Sequence, residues 1–464
     1  MRWIAALPVL AMSLSSASYA TPPMTLSEQD RSDLAITLYT DNLGFVQDIR
    51  STPILPAGQV VHLTDVSRQM EVESLQIRNA GQIKEQTLSH ATLNYATLLQ
   101  QHIGKEVLLA NESKAAEPTP AILLSIDQNT ALVNINQRIE TIPLNGNWRI
   151  IFPTLPENML LQPSLTFKTD GTSSAQQSSI SYLTQGLSWK MDYVATLSED
   201  GSSLLFDGLA SMNNQTGTDF KDARIRLLAG NVNQNSPQHY RGKALMMAAS
   251  AESDNAIQPE ALSDYQLYTL PHQVSLADQQ QTQVSLIHAD NVKVNSVLRY
   301  RFYIHGGVDQ LQQKIKPDTF INFINNQHYG IGTPLPAGQV RFFSPDKKGD
   351  LHFVGTDNIG QTAIGEPVEL NLGKSFDVTI SQKQTDYQSS YDGSVVAYEL
   401  SIKNSGTSSK EIEISSQFAA PWKLISSSSK PTSESGGEAS WKLNLPGKSD
   451  TVLSLRVRLT PPKN

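Results

Sequence analysis

Two nearby carboxylates, Asp219 and Asp222, come closer to an acid–base site than any other arrangement in this sequence. Glycoside hydrolysis uses two such groups, one kept protonated by its surroundings and one ionised. These two acids flank Lys221 in a stretch rich in glycine and asparagine, where a solvated aspartate is the usual occupant of a turn. We therefore expect an exposed turn here and assign no catalytic residue.

Trp189 and Tyr193 could form an aromatic platform for a sugar or a peptide. Both lie on the apolar side of a segment, 189–197, in which apolar and polar residues alternate as they do in a half-buried strand. Large aromatic side chains on such a face usually belong to the core. The sequence therefore favours a structural role for both over a binding role.

Histidine occurs nine times, and no histidine lies three or four residues from another. Metal sites on helices and zinc fingers need such spacing. The sequence also lacks a nucleophile elbow, a phosphate-binding Walker loop and a calcium-binding EF-hand loop. We predict no catalytic, metal or cofactor site, and we expect each histidine at the surface or in a turn. The nine are His62, His90, His102, His239, His272, His288, His305, His328 and His352.

The charge balance excludes some partners. The chain has 36 Lys plus Arg against 44 Asp plus Glu, a net charge of −8 without long runs of one sign. Nucleic acids and anionic membrane surfaces attract basic faces, so neither is an expected partner. Cysteine is absent, which excludes thiolate metal sites and cysteine nucleophiles.

The first 20 residues have the pattern of a secretory signal peptide. Arg2 precedes an apolar run over 3–14, and Ser18-Tyr19-Ala20 is a small-x-small cleavage site. About 12 apolar residues are too few to span a bilayer, which needs about 20. We predict cleavage after Ala20, a periplasmic or secreted location, and no membrane span in the mature chain.

The stretch 180–232 predicts three strands joined by two turns. Residues 189–197 and 204–212 alternate, with the turns at 198–201 and 213–217, and a third strand covers 223–229. This pattern is typical of antiparallel β architecture. We expect Trp189, Tyr193, Phe206, Leu209 or Met212, and Leu227 to share one core.

A hexapeptide repeats in the chain and points to sandwich units. LPAGQV occurs at 55–60 and again at 335–340, and a looser copy begins at Leu445. Proline and glycine favour a tight turn, and each copy precedes an alternating segment, so we expect a turn feeding a strand. Upstream strands end in asparagine, as in many immunoglobulin-like sandwiches. Such turns also occur in any β protein, which is the alternative explanation.

A segment of different character lies between these elements. Leu93, Ala96, Leu99 and Ile103 have near-helical spacing, and Gly104 follows where a helix would end. Five brief strands are expected after this helix. We predict an inserted small closed barrel of SH3-like or Sm-like type. The five strands are 106–109, 121–126, 131–135, 139–142 and 148–152.

The fold class we predict is mainly β, with several immunoglobulin-like antiparallel β-sandwich units and an inserted helix plus small SH3-like barrel. Residues 233–264, 426–437 and 170–178 have loop composition. The predicted divisions are a signal peptide at 1–20, an N-terminal β-sandwich portion at 21–83, the insertion at 84–154, a central β-sandwich domain at 155–380 and a C-terminal immunoglobulin-like sandwich at 381–464.

Several long blocks carry a resemblance to a known family: 182–193 (YLTQGLSWKMDY), 213–223 (NNQTGTDFKDA), 228–233, 268–271, 334–338, 351–355 and 372–378. They resemble the bacterial family of unknown function numbered 4139, which is related to the mucoidy-inhibitor-A-like proteins. The resemblance covers 180 to the C-terminus, and 34–77 resembles the β region that usually precedes it. Related members often have a coiled-coil insertion where this chain has a short, barrel-like one. The resemblance implies an exported, β-rich protein and supplies no catalytic residue.

Two functions remain open from the sequence. The first is a non-enzymatic envelope protein, a binding or structural module whose partner is an envelope protein or a polysaccharide. The alternative is a hydrolase acting on cell-wall or surface polysaccharide, with carboxylates gathered from separate loops. Two acids facing each other across a cleft, one of them desolvated, would favour the second.

Overall fold

The computed structural model describes residues 23–89, 95–111, 117–144, 146–154, 164–170, 176–230, 259–262, 265–309, 313–419 and 421–460. The signal peptide expected at 1–20 lies outside these ranges, as do His90, His239 and most of the loop expected at 233–264. In the described part of the chain, no helix is long and apolar enough to cross a membrane.

The protein is mainly β, with 65% of residues in strands and 4% in helices, which confirms the predicted fold class. The helical elements of the described residues are α1 (Tyr95–Gln101) and 3₁₀ turns at Glu28–Asp30, Val72–Ser74 and Gln327–Tyr329. The strands up to the middle of the chain are β1 Met24–Leu26, β2 Arg31–Leu38, β3 Gly44–Ser51, β4 Val60–Leu63, β5 Gln76–Arg78, β6 Gln82–Ser89, β7 Glu106–Asn111, β8 Thr119–Asp127, β9 Thr130–Ile135, β10 Arg138–Pro143, β11 Trp148–Ile151, β12 Ser164–Asp170, β13 Gln177–Thr184, β14 Leu187–Leu197, β15 Ser203–Asn214 and β16 Phe220–Ala229. The later strands are β17 Pro259–Leu262, β18 Tyr265–Thr269, β19 Val274–Leu276, β20 Gln280–Lys293, β21 Asn295–Ile304, β22 Gln313–Ile315, β23 Asp318–Ile324, β24 Gly338–Pro345, β25 Leu351–Ile359, β26 Pro367–Lys374, β27 Val378–Ser390, β28 Gly393–Asn404, β29 Lys410–Phe418, β30 Trp422–Ser427, β31 Ser433–Glu434, β32 Glu438–Leu445 and β33 Ser449–Leu459.

These strands form six sheets in the described part of the chain. We call the sheet that contains β14 and β15 the central sheet. The strand orders are β1-β4-β12-β6; β10-β9-β8-β7-β11; β17-β18-β16-β2-β3-β13-β5, with β19 joined to β16; the central sheet β20-β15-β14-β24-β25; β26-β23-β21-β29-β32-β31; and β22-β27-β28-β33-β30.

Three hydrophobic clusters hold the sheets together. The largest, the main core, joins side chains of 26–80 with side chains of 165–370, so the predicted segments 21–83 and 155–380 share it. The second lies between β27, β28 and β33 on one side and β21, β29 and β32 on the other. Since β23 and β26 contribute Phe323 and Leu370 to the main core, the six-stranded sheet takes part in both.

The strands β14, β15 and β16 have the predicted buried faces, but β16 does not pair with β15. Trp189, Tyr193, Phe206 and Met212 are buried together in the main core with Leu227, as expected. The third strand, β16, leaves β15, however, and pairs with β2 in parallel and with β18. The prediction of a purely antiparallel arrangement is therefore incomplete. Parallel ladders also join β1 with β4, β14 with β24, and β21 with β29.

The two identical hexapeptides take different conformations. In the first, Gly58 has φ +83, the turn closes from Gln59 N–H to the Pro56 carbonyl, and Gln59 is buried. In the second, Gly338 already belongs to β24, and Gln339 is exposed. The first copy is the predicted turn, whereas the second is a bend that leads directly into a ladder.

The insertion forms its own cluster. The helix α1 ends at Gln101, earlier than predicted, and Gly104 lies in the turn that follows, at φ +82. The five expected strands form one sheet with a separate apolar core. No ladder of the described residues joins β10 to β11, the two ends of this sheet. Ser89 at the end of β6 lies opposite Ser164 at the start of β12, so the chain leaves and returns at adjacent positions.

Candidate functional site

Asp219 and Asp222 are both exposed, as predicted, but Asp222 lies in a strand and not in a turn, because β16 begins at Phe220. Both act as structural groups. Asp219 Oδ1 accepts a hydrogen bond from the backbone of Asp278 at 2.8 Å. Asp222 has φ +49, and its N–H donates to Ser275 Oγ at 3.0 Å. Through these hydrogen bonds the two aspartates bind β19 and the residues that follow it, and not each other.

Trp189 and Tyr193 lie in the main core, which confirms the structural role. Trp189 Nε1 donates to the Leu228 carbonyl at 3.0 Å, and Tyr193 Oη donates to the Pro336 carbonyl at 2.7 Å. The Tyr193 ring stacks on Phe206. Neither ring is open to a ligand.

His102 lies in the turn that follows α1, within the expectation for the histidines, but it is buried and not exposed. Its side chain is buried between α1 and the end of β11, against the ring of Phe152. Its ring nitrogens lie 2.8 Å from the Leu98 carbonyl and 3.2 Å from the Thr154 carbonyl. Among the described residues, no group of three His, Asp or Glu side chains could hold a metal ion.

The candidate site is the solvent side of the central sheet, which we call the outer face. Its inner side carries Trp189 and Tyr193, so the alternate residues of β14 point outward. Exposed side chains occur on it in all five strands, which shows that no described element covers it completely. Its rows, read across the strands from the ladder registers, are Gln283, Ser211 and Lys190; Ser285, Leu209, Asp192, Gln339 and Asn358; His288, Asp207, Val194, Arg341 and Thr356; and Leu205, Thr196, Phe343 and Phe353.

Asp192 is the centre of a polar network on this face. It is only 5% exposed, yet Ser211 Oγ donates to one of its oxygens at 2.7 Å and Arg341 Nη1 to the other at 3.0 Å. Lys190 Nζ lies 3.5 Å away. Burial alone would raise the pKa of Asp192, but the bonds from Ser211 and Arg341 and the nearby cations lower it below its ordinary value. Asp192 is therefore a carboxylate at neutral pH.

A second charged group lies beside β20. His288 Nδ1 is 2.5 Å from Asp207 and its Nε2 is 3.0 Å from Asp290. The hydrogen bond to Asp207 and the charges of both acids raise the pKa of His288 above its usual range. Each of these charged groups thus lies beside at least one group of opposite charge.

The third feature of the outer face is apolar. Leu205, Phe343 and Phe353 share one row with Thr196, and the two phenylalanine rings meet edge to face at 5.9 Å between centroids. Phe353 is 59% exposed and Leu205 37%. Phe343 and Phe353 are adjacent, whereas Thr196 separates them from Leu205. Exposed apolar side chains with polar neighbours are typical of interaction sites.

The parallel ladder between β14 and β24 positions this face. A Cβ at Gly338 would lie 2.3 Å from the Met191 carbonyl oxygen, so only glycine permits the approach of the two strands. Arg341 then comes to lie beside Asp192, 149 residues earlier in the chain. Beside this ladder is a shallow depression, lined by Lys190, Met191, Asp192, Ala337, Gly338, Gln339, Asn358 and Ile359.

The arrangement supports hydrogen bonding and apolar contact. Ser211 accepts from Gln283 Nε2 at 2.7 Å and donates to Asp192, whose lowered pKa makes it too weak a base to activate a serine as a nucleophile. The alternation in 189–197 gave the outward direction of Asp192, but no sequence signal linked it with Arg341, because parallel pairing of distant strands leaves no local pattern.

No protein-family model matches the chain, and no curated protein matches it significantly.

Proposed function

We propose that the chain is a non-enzymatic protein of the bacterial cell envelope that binds another macromolecule through the outer face. In this proposal residues 1–20 are a signal peptide cleaved after Ala20, and the mature chain is periplasmic or secreted. The same proposal includes membership of the family numbered 4139, on the strength of the sequence blocks that resemble it. The partner is an envelope protein or a polysaccharide.

The observation that carries the proposal is the row of Leu205, Phe343 and Phe353 beside internally paired charges. Exposed aromatic groups supply contact area, and Arg341 is a residue type enriched in interfaces. Because both oxygens of Asp192 already have partners, a ligand that covers this face does not leave that carboxylate unpaired.

The hydrolase alternative finds less support among the described residues. The buried carboxylates there are Asp48 and Asp192. Asp48 is held by Arg31 at 3.1 Å and Arg50 at 2.8 Å, and Asp192 by Arg341. A general acid needs a raised pKa, whereas the pKa of Asp192 is lowered. Asp48 lies in β3 and Asp192 in β14, strands of different sheets.

Capture experiments test the proposal. The purified chain, immobilised, is exposed in separate arms to envelope protein extract and to cell-surface polysaccharide. The double variant Leu205→Ala/Phe353→Ala should lose at least about tenfold in retention, since contact-surface anchors each contribute more than about 1 kcal/mol. The matched control is Ile54→Ala/Ile139→Ala, which removes exposed apolar groups outside the outer face.

Three results would contradict the proposal. They are no capture by the original chain in either arm, equal capture by the outer-face variant, and release of new reducing ends from the polysaccharide. The last would revive the hydrolase, because a non-enzymatic binder leaves the glycosidic bonds intact. Edman sequencing of the periplasmic protein tests the cleavage site, with Thr21 expected first.

A further inference from the structure

Each sheet of the described chain ends in strands that have a ladder on one side only. Such edges attract foreign strands unless they are short, charged, interrupted by proline or covered. Nearly all of the edges here have one of these protections. Short length protects β1, β5, β17, β22 and β31. The strands β25 and β26 lie against each other, and Asn371 N–H donates to Asp357. Charged residues or proline protect the remaining edges: Lys84 and Glu85 in β6, Arg138, Glu140 and Pro143 in β10, Arg149 in the four-residue β11, and Lys423 in β30.

The first half of strand β20 differs from these edges. The strand has 14 residues and, among the described residues, pairs only with β15. Residues 279–287, QQQTQVSLI, contain neither a charge nor a proline. The ladder with β15 is regular from Gln280 to Ser285 and becomes irregular only beyond that point. This half of the strand therefore presents a straight, uncharged row of backbone donors and acceptors.

The main core is also incomplete along this edge. Val284 and Leu286 pack against it but remain half-exposed. A further strand added to β20 would cover them with its own side chains. The edge thus offers apolar contact on the inner side in addition to backbone hydrogen bonds, and edge pairing alone is rarely sufficient for stable association.

We propose that β20 pairs in antiparallel orientation with β20 of a second copy of this chain, which joins two central sheets into one of ten strands. The uncharged run is compatible with itself, because antiparallel pairing of 279–287 with its copy opposes no like charges. Asp278, His288 and Asp290 lie outside the run. Val284 and Leu286 of both copies then lie over one continuous core layer.

The symmetry of the proposed dimer determines where its two outer faces lie. A two-fold axis that makes neighbouring strands antiparallel within one sheet is perpendicular to that sheet. Both outer faces therefore lie on the same side of the dimer. This inference rests on the edge and not on the proposed function, and either can fail without the other.

The oligomeric state provides the first test. Light scattering on the purified chain at tens of micromolar should give twice the mass of one chain. Gln281→Lys/Ser285→Lys should give a monomer, because each new lysine faces another across the axis directly or diagonally. The control, Gln82→Lys/Gln86→Lys, adds the same charges at two exposed positions of β6 and should remain a dimer.

Disulfide crosslinking locates the interface. Because the chain has no cysteine of its own, any disulfide must come from the introduced residue. Gln281→Cys, Gln283→Cys and Ser285→Cys are made singly, and at least one should form an intermolecular disulfide on mild oxidation, since cross-strand Cβ atoms near the axis come within reach. Gln86→Cys should not. A monomer at all concentrations overturns the proposal. The proposal is also overturned if Gln281→Lys/Ser285→Lys remains a dimer and none of the three cysteine variants crosslinks. It is overturned as well if the chain is a monomer and its β20 pairs with a different polypeptide.

Discussion

Asp192 illustrates how a carboxylate can lie almost buried on the solvent side of a sheet. Its two oxygens are each satisfied, by Ser211 and by Arg341, and the cost of burial is offset by these bonds. Removing such an acceptor leaves buried donors without a partner, which costs more than the bond itself contributed.

We expect Asp192→Ala to lower the free energy of unfolding by about 1–3 kcal/mol, because Ser211 and Arg341 lose their acceptor. Urea unfolding followed by tryptophan fluorescence measures this. The control is Asp33→Ala, which breaks the surface ion pair with Arg224 and should cost less than about 1 kcal/mol. If the two variants lose the same free energy of unfolding, the bonds of Asp192 contribute no more to stability than an exposed ion pair does.

The raised pKa of His288 gives a prediction about pH. Its contacts with Asp207 and Asp290 stabilise the fold fully below the pKa of the unfolded chain, about 6.5, and this contribution is lost as pH rises through the higher folded value. NMR titration should place the His288 midpoint above that of a model peptide. Asp207→Ala, which removes both the acceptor and the charge, should move it back, and an unchanged midpoint would exclude the contact with Asp207 as the cause.

At the scale of elements, the two LPAGQV copies show what local sequence can and cannot specify. Each has a proline followed by a glycine, and each leads to a strand. Gln59 is buried and Gln339 exposed because the first copy turns at Gly58, whereas the second enters the β14 ladder at Gly338. Pairing partners far away in the chain decide which of the two conformations forms.

Substitutions at Gly58 and Gly338 distinguish a glycine required for its left-handed backbone from one required for a close approach of two strands. Gly58→Ala should cost about 1–2 kcal/mol for a left-handed backbone, and Gly58→Asn should recover most of it, since asparagine tolerates that region. At Gly338 the obstacle is the Met191 backbone, so alanine should cost about 1–3 kcal/mol and asparagine no less. Thermal unfolding of the four variants measures this. Rescue by asparagine at Gly338 would mean that its conformation, not the close approach, requires glycine.

The alternation of apolar residues predicted the strands of 187–229 and 106–151, and with them the burial of Trp189 and Tyr193. It did not predict that β16 leaves β15 for another sheet, because alternation identifies a strand face and not its neighbour. Arg341 beside Asp192 was missed for the same reason. The burial of His102 was missed because two main-chain carbonyls surround it, and main-chain groups have no sequence signature.

At the scale of the whole molecule, the proposed dimer and the proposed binding surface reinforce each other. Two outer faces on one side of a joined sheet would contact a repeating polymer or a paired protein at two points. The second contact is then intramolecular, which raises the overall affinity without new residues. A large difference in retention on the same polysaccharide between the dimer and a monomeric variant whose outer-face residues are unchanged would favour a repeating ligand.

The insertion provides the last prediction, because Ser89 and Ser164 are opposite each other in one ladder and the insertion has its own apolar cluster. Replacing residues 90–163 by a short Asn-Gly turn should convert β6 and β12 into a hairpin and leave the main core folded, with its unfolding free energy changed by less than about 1 kcal/mol. Trp189→Ala should instead cost about 3–5 kcal/mol, since it empties a fully packed position and frees the Leu228 carbonyl. Limited proteolysis and urea unfolding compare the two. A deletion variant that is degraded while Trp189→Ala remains resistant would show that the stability of the molecule lies in the insertion and not in the main core.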